Sequence, residues 1–139
     1  MESQDAIVSI PKTMEKFFGG SGKMLKPSPG TVALLVKTIP KGRVATIDAV
    51  CKKLAKKYKT EVACPATTEK SLCLAAAESV ESNTRLPYWR VLKNSGELIR
   101  KFPEGIKGHA ACLAKEGHRI VSTGKSKGVE NFESVLHQL

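Results

Sequence analysis

A chain of 139 residues can bury one hydrophobic core of useful size and is too short to suggest two. Its 23 lysines and arginines against 13 aspartates and glutamates give a formal charge of +10, which favours a polyanionic partner, with a merely soluble basic protein as the plainer alternative. No apolar run approaches the roughly 20 residues that cross a bilayer, and MESQDAIVSI lacks the basic-then-apolar layout of a signal peptide, so no membrane is expected and the expected location is the cytoplasm, on the nucleoid if the source is bacterial.

Residues 1–27 carry apolar pieces (Ile7, Val8, Ile10, Phe17, Phe18) that share no period, and read as an N-terminal arm. Gly19, Gly20, Gly22 and Lys23 fall short of the GxxxxGK[ST] spacing and follow no apolar strand, so they read as a flexible connection rather than a phosphate cradle. Ser28 and Pro29 then open a helix, a capping oxygen followed by a residue pre-set for the first turn. Val32, Leu35, Val36 and Ile39 continue it at helical spacing until Pro40. Thr46 can cap a second helix from about Ile47 to Lys57, with Val50, Leu54 and Tyr58 inward and Lys52, Lys53, Lys56 and Lys57 outward. That lysine face is either solvated or in contact with phosphate. After Cys64-Pro65, Thr67 or Thr68 can cap a third helix through Leu72, Ala75 and Ala76, whose small residues allow close approach to another surface.

Tyr88 to Leu92 alternate like a strand, Asn94-Ser95-Gly96 can turn, and Glu97-Leu98-Ile99 can return, which predicts a β-hairpin. Gly105 to Lys115 suits a helix with Ile106, Ala110 and Leu113 inward. Gly124 and Gly128 flank a basic linker, GKSKG, and the spacing of Val129, Phe132, Val135, Leu136 and Leu139 predicts a closing amphipathic helix. Cys51, Cys64, Cys73 and Cys112 form no CxxC pair and read as reduced, buried thiols. His109 and Cys112 stand three apart, but no second pair completes a zinc site, so neither a metal nor a cofactor is expected.

Three helices followed by a hairpin in a basic domain is the order of a winged helix-turn-helix. The expected fold is mainly α with a small β-hairpin, in a single domain over residues 28–120, with the arm before it and a linker and C-terminal amphipathic helix over 121–139.

Over about residues 29–120 several segments, in order, resemble the C-terminal DNA-binding domain of the alkylguanine-DNA alkyltransferase family (methylated-DNA–protein-cysteine methyltransferases). IPKGRVATIDAV resembles the entry to its helix-turn-helix, and PYWRV stands where the family has PCHRV. NSGEL matches its wing, and EGIKGHAACLAKEGHRI its following helix. The resemblance implies double-stranded DNA as partner. In the family the cysteine of PCHRV accepts the alkyl group as a thiolate, activated through the adjacent histidine and a distant glutamate. Here Tyr88 stands at the cysteine position and Trp89 at the histidine position, while Glu116 matches the glutamate and lacks an imidazole to orient. A phenol of pKa near 10 with no base at hand is no substitute nucleophile, so alkyltransferase activity is expected to be lost and the protein not to be an enzyme.

The resemblance is greatest to the non-catalytic alkyltransferase-like branch, which binds alkylated guanine and recruits other DNA repair proteins; that branch keeps the histidine, and this chain does not. Lys70 matches the arginine that fills the gap left by an extruded nucleotide, and a lysine stacks poorly in its place. Ile47 stands where the family has a backbone-pressing tyrosine, Phe102 matches the wing tyrosine, and Arg90 matches a structural arginine expected to brace the hairpin. Three functions follow. The first is a monomeric DNA-binding protein with Thr46, Lys52, Lys53, Lys70, Arg85 and Lys93 on the backbone and Tyr88, Trp89 and Phe102 lining any base pocket. The second is a residual methyltransferase using another cysteine, and the third an interaction module whose old pocket is plugged by Tyr88 and Trp89.

Overall fold

The structure, a computed structural model, describes residues 5–122, 124 and 126–139. Of the arm, residues 1–4 lie outside the described residues, as does Lys125 of the basic linker. The described residues form five α-helices and three small sheets, and none of these helices is long and apolar enough to cross a membrane.

Three helices make the body. Helix α2 (Pro29–Val36) starts at Ser28, whose hydroxyl accepts from the Thr31 N–H at 3.3 Å, and α3 (Ile47–Tyr58) starts at Thr46, whose hydroxyl accepts from the Ala49 N–H at 3.2 Å. Helix α4 (Pro65–Glu81) begins earlier than a Thr67 or Thr68 cap would allow. Pro65 has a φ suited to the first turn, the Cys64 carbonyl already accepts from the Thr68 N–H at 2.9 Å, and Thr68 is fully buried within the helix. Val32, Val36, Val50, Leu54, Leu72 and Ala76 meet at the centre of this body, in one cluster with Tyr88, Val91, Ile99 and Phe102.

Residues 5–27, which share no period in sequence, are built from short alternating pieces. Strands β1 (Ala6–Ser9) and β2 (Lys23–Lys26) pair antiparallel around α1 (Lys12–Phe18), and β2 runs parallel to β4 (Val62–Ala63), between α3 and α4. The glycine run expected as a flexible connection is part of this unit: Gly19 ends α1 in the left-handed region at φ 84°, and the Gly22 carbonyl accepts from the Ile10 N–H at 2.8 Å. Asp5 fastens the unit to the body. Its carboxylate accepts from the Ser28 N–H (2.7 Å), the Thr31 hydroxyl (2.8 Å) and the Tyr58 hydroxyl (2.9 Å). Burial alone would raise the Asp5 pKa, and these bonds hold it below the usual carboxylate value.

Two expected elements are replaced. The hairpin of Tyr88–Leu92 with Glu97–Ile99 does not form. Tyr88–Arg90 is a 3-10 turn, which leaves only the two residues of β5 (Val91–Leu92) as strand, and β5 pairs parallel with β3 (Ala45–Thr46). Nor is there a closing helix. The apolar positions after 128 are divided between β7 (Lys127–Val129), antiparallel to β6 (Ile120–Ser122), and a 3-10 turn at Phe132–Val135, with Asn131 between them in the left-handed region at φ 53°. A spacing of three serves a 3-10 turn as well as an α-helix, which is why the pattern misleads. Helix α5 (Gly105–Lys115) matches its expected bounds and packs Leu113 against Leu92, Leu98 and Val129 in a second core cluster.

Candidate nucleic-acid interface

Helix α4 is buried through Thr68, Ser71, Leu72, Ala75, Ala76 and Ser79, and this spacing leaves Ala66, Lys70, Cys73, Leu74 and Ala77 on the opposite side. Facing that side is the turn after β5. Between them lies an open groove of about 1000 Å³, lined by α4, by Lys93 and Asn94 of the turn, by Ile47 at the start of α3, and by Lys101. Asn94 ties the turn to α3, its side-chain oxygen accepting from the Asp48 N–H at 2.8 Å. Three lysines, Lys70, Lys93 and Lys101, thus line the groove with one acidic residue, Glu69. Positive charge along a concave surface concentrates a polyanion there.

Of the six residues expected on a nucleic-acid backbone, the fold brings Lys70 and Lys93 together in this groove. Thr46 is half-buried next to Ile47, its hydroxyl occupied as the α3 cap. Lys52 and Lys53 are exposed on the outer side of α3 and do not line the groove; Lys52 pairs with Asp48 at 3.1 Å. Arg85 lines a separate recess of about 380 Å³ with Val80, Asn83, Tyr88 and Trp89. Lys101 has no signal in the sequence, and Asn94 is marked there only as a turn residue. Both lie in connecting segments with no periodic signal, and only the fold carries them to the groove.

Away from the groove walls, the aromatic residues form one packed chain. The Tyr88 ring meets Trp89 edge-on at 5.3 Å and Phe102 at 4.9 Å, and Phe102 meets His109 at 4.8 Å. Tyr88 is 7% exposed and Phe102 3%. Both rings therefore fill space as core. His109 is fully buried: its Nδ1 accepts from the Ile99 N–H at 3.0 Å, so its Nε2 carries the proton and donates to the Trp89 carbonyl at 2.8 Å. Burial drives its pKa down to about 4 against the pull of the Trp89 carbonyl, and the ring is neutral. With both nitrogens bonded to backbone, His109 has no lone pair for a metal, so its spacing to Cys112 has no ligand chemistry. The sequence reading missed this structural role. The signal was its place between Ile106 and Leu113 on the inward side of α5.

Arg90 and Glu116 complete the buried region. The guanidinium donates to the carboxylate through Nε (3.0 and 3.2 Å) and Nη2 (2.6 Å), and through Nη1 to the Ile39 carbonyl (2.7 Å). The two side chains are 15% and 8% exposed. Burial would raise the Glu116 pKa, and the Arg90 bonds, with a smaller contribution from the Trp89 indole, hold it below the usual value. That indole N–H is buried and directed toward Glu116 without reaching hydrogen-bond geometry. An indole beside the Glu116 carboxylate can donate a hydrogen bond and cannot accept a proton.

Burial raises the Tyr88 phenol, with the neighbouring Cys112 and Glu104 adding to the effect, and burial raises the Cys51 and Cys73 thiols to about 11. Cys112 is also raised, chiefly by burial. Of these thiols Cys73 lines the groove, and a protonated thiol is a poor nucleophile.

No family model and no curated protein matches the sequence. The fold is similar to that of two solved structures. One is S. pombe Atl1 in complex with damaged DNA containing O6-carboxymethylguanine, with 18% identity and a TM-score of 0.60. The other is S. pombe ATL in complex with DNA, with 17% identity and a TM-score of 0.61. Each alignment covers 80% of this chain and 94% of the other. The likeness establishes an alkyltransferase-like fold for this chain, and at such identity it establishes the fold alone.

Proposed function

We propose that this protein is a non-enzymatic binder of duplex DNA of the alkyltransferase-like kind, acting as a winged helix-turn-helix with α4 as recognition helix and the Lys93–Glu97 turn as wing. The observation that carries the reading is the groove with Lys70, Lys93 and Lys101 on its walls, in a fold similar to that of S. pombe Atl1, a protein solved in complex with damaged DNA. Sensing of alkylated guanine in duplex DNA, as a monomer that passes the lesion to other repair proteins, is the fuller form of the same proposal. Each lysine that neutralises a phosphate steepens the fall of log K with log salt by about 0.9. Duplex affinity measured across a salt series should therefore give a slope of about −3 if the three groove lysines all contact phosphate. A slope near zero ends the DNA reading. Comparing plain duplex with O6-alkylguanine duplex tests the fuller form, which equal affinities would reject.

One observation favours a second reading, a winged-helix interaction module without lesion recognition: Tyr88 and Phe102 are packed as core where the resemblance places the base pocket. Residual transfer to Cys51, Cys73 or Cys112 is disfavoured by their raised thiols. Mass spectrometry after incubation with alkylated duplex is expected to find every cysteine unmodified.

A further inference from the structure

We infer that the C-terminal segment Lys127–Phe132 is the positioning element of the Lys93–Glu97 turn, holding Lys93 and Asn94 at the groove. The inference rests on the reading of that groove as the DNA face. The turn closes on itself through the Lys93 N–H to the Glu97 carbonyl (2.9 Å) and the Gly96 N–H to the Lys93 carbonyl (2.8 Å). A wing of this kind is ordinarily steadied by the two strands that flank it, and here the first of them, β5, is paired with β3.

The tail supplies the missing edge. The Val129 N–H donates to the Gly96 carbonyl at 3.1 Å, the Leu98 N–H donates to the Lys127 carbonyl at 2.9 Å, and Glu97 and Gly128 form an antiparallel bridge. Val129, 5% exposed, packs in the same core cluster as Leu92 and Leu98, so the edge is anchored beneath the turn. Phe132 then lies over Gly96. A Cβ added at Gly96 would stand 2.3 Å from the Phe132 ring, and Gly96 itself has φ +86°, so only glycine fits both the backbone and the ring above it. Beyond Phe132 the Val44 N–H donates to the Val135 carbonyl (2.9 Å) and the His137 N–H to the Val44 carbonyl (2.7 Å), which fixes the tail beside the entry to β3 and α3. The turn is thus held from two sides, by Asn94 on α3 and by the tail on Gly96. Phe132 lines no part of the groove, so its effect on binding passes through the turn.

The test uses the full chain with Phe132→Ala, the milder Phe132→Leu, Lys93→Ala, and the double Phe132→Ala/Lys93→Ala. Hydrogen exchange of the Gly96, Leu98 and Val129 amides is measured together with duplex affinity across a salt series. The expected result for Phe132→Ala is faster exchange at those three amides with α4 unchanged, an affinity loss of about fivefold, and a salt slope shallower by about one, as for Lys93→Ala. The double variant should bind no more weakly than Lys93→Ala alone, because both changes remove the same contact. Unchanged exchange at the turn, or losses that add in the double variant, overturns the inference. If Phe132→Ala loosens α4 as well, Phe132→Leu carries the same two readouts in graded form. If the wild-type chain does not bind duplex, the reading of the groove fails separately, and exchange at the turn alone decides whether the tail positions it.

Discussion

The groove along α4 and the aromatic cluster around Tyr88 are physical opposites. In the groove three lysines stand at an open surface. In the cluster a histidine, an arginine and a glutamate have found partners among themselves or on the backbone, and the space between them is filled with rings. The resemblance places reaction chemistry in the closed region and two of its six backbone contacts, Lys70 and Lys93, in the open one. Reactivity needs a group whose protonation is balanced and whose position is reachable. In the closed region burial raises the Tyr88 phenol and lowers the His109 imidazole, and only Tyr88 and Trp89 border a recess, while electrostatic attraction needs only exposed charge, which the open region has. Substitutions in the two regions should therefore fall into two classes, those that cost stability and those that cost binding.

The largest effect belongs to His109. Replacing it with alanine leaves the Ile99 N–H and the Trp89 carbonyl unpaired in the core and opens a cavity, an expected loss of about 4 kcal/mol in denaturant unfolding. Its pH signature is specific. With the native pKa lowered from 6.5 to about 4, neutral His109 contributes stability that is complete above pH 6.5 and is lost as the pH falls toward 4. Unfolding curves collected through that interval should show the loss in the wild type and a flatter profile in His109→Ala. A profile equally steep in both would mean that this ring is not the buried neutral group described here.

Tyr88→Ala comes next, at about 3 kcal/mol, from a ring that is 7% exposed and packed against Phe102 and Trp89. If the closed region is core only, affinity for plain and O6-alkylguanine duplex should change by the same factor in this variant. A selective loss on the alkylated duplex would turn the cluster from a plug into a base site and merge the two regions. Glu116→Gln is expected to cost about 2 kcal/mol, since Arg90 keeps a hydrogen-bond acceptor and loses its counter-charge while still buried. Because the Glu116 pKa lies below its reference of 4.5, its contribution is present above that pH and is lost as the pH falls through the lowered native value. The variant should lack this acid-side loss.

The two regions were unequally legible in the sequence. The caps at Ser28 and Thr46, the bounds of α5 and the inward face of α3 follow from local chemistry, and the structure has them where capping and 3.6-residue spacing put them, while α2 ends at Val36, short of the Pro40 that was expected to stop it. Local signals fail where partners are distant. Val91 and Leu92 alternate as a strand should, and nothing near them says that the partner is Ala45–Thr46, so a hairpin to the next apolar run was the natural expectation. The tail's apolar spacing fits a helix until Gly96, far off in the chain, takes Phe132 and Val129. In the site, substitution at Tyr88 and Trp89 was visible from the motif alone. The ring of His109 between two backbone groups was not, because both partners come from other segments.

The smallest effect on stability separates the two regions most sharply. Lys70→Ala and Lys101→Ala remove exposed ammonium groups that no fold contact requires, so unfolding free energy should change by no more than about 0.5 kcal/mol in either variant. Duplex affinity should nevertheless fall, and the slope of log K against log salt should become shallower by about 0.9 for each lysine that meets a phosphate. Lys53→Ala on the outer side of α3 is the internal control, since it lies outside the groove and carries the same charge. An equal slope change in Lys53→Ala would mean that binding follows net charge alone, and the groove would lose its claim to be the interface. A change confined to Lys70, Lys93 and Lys101 would make position, not charge count, the property that the fold has kept.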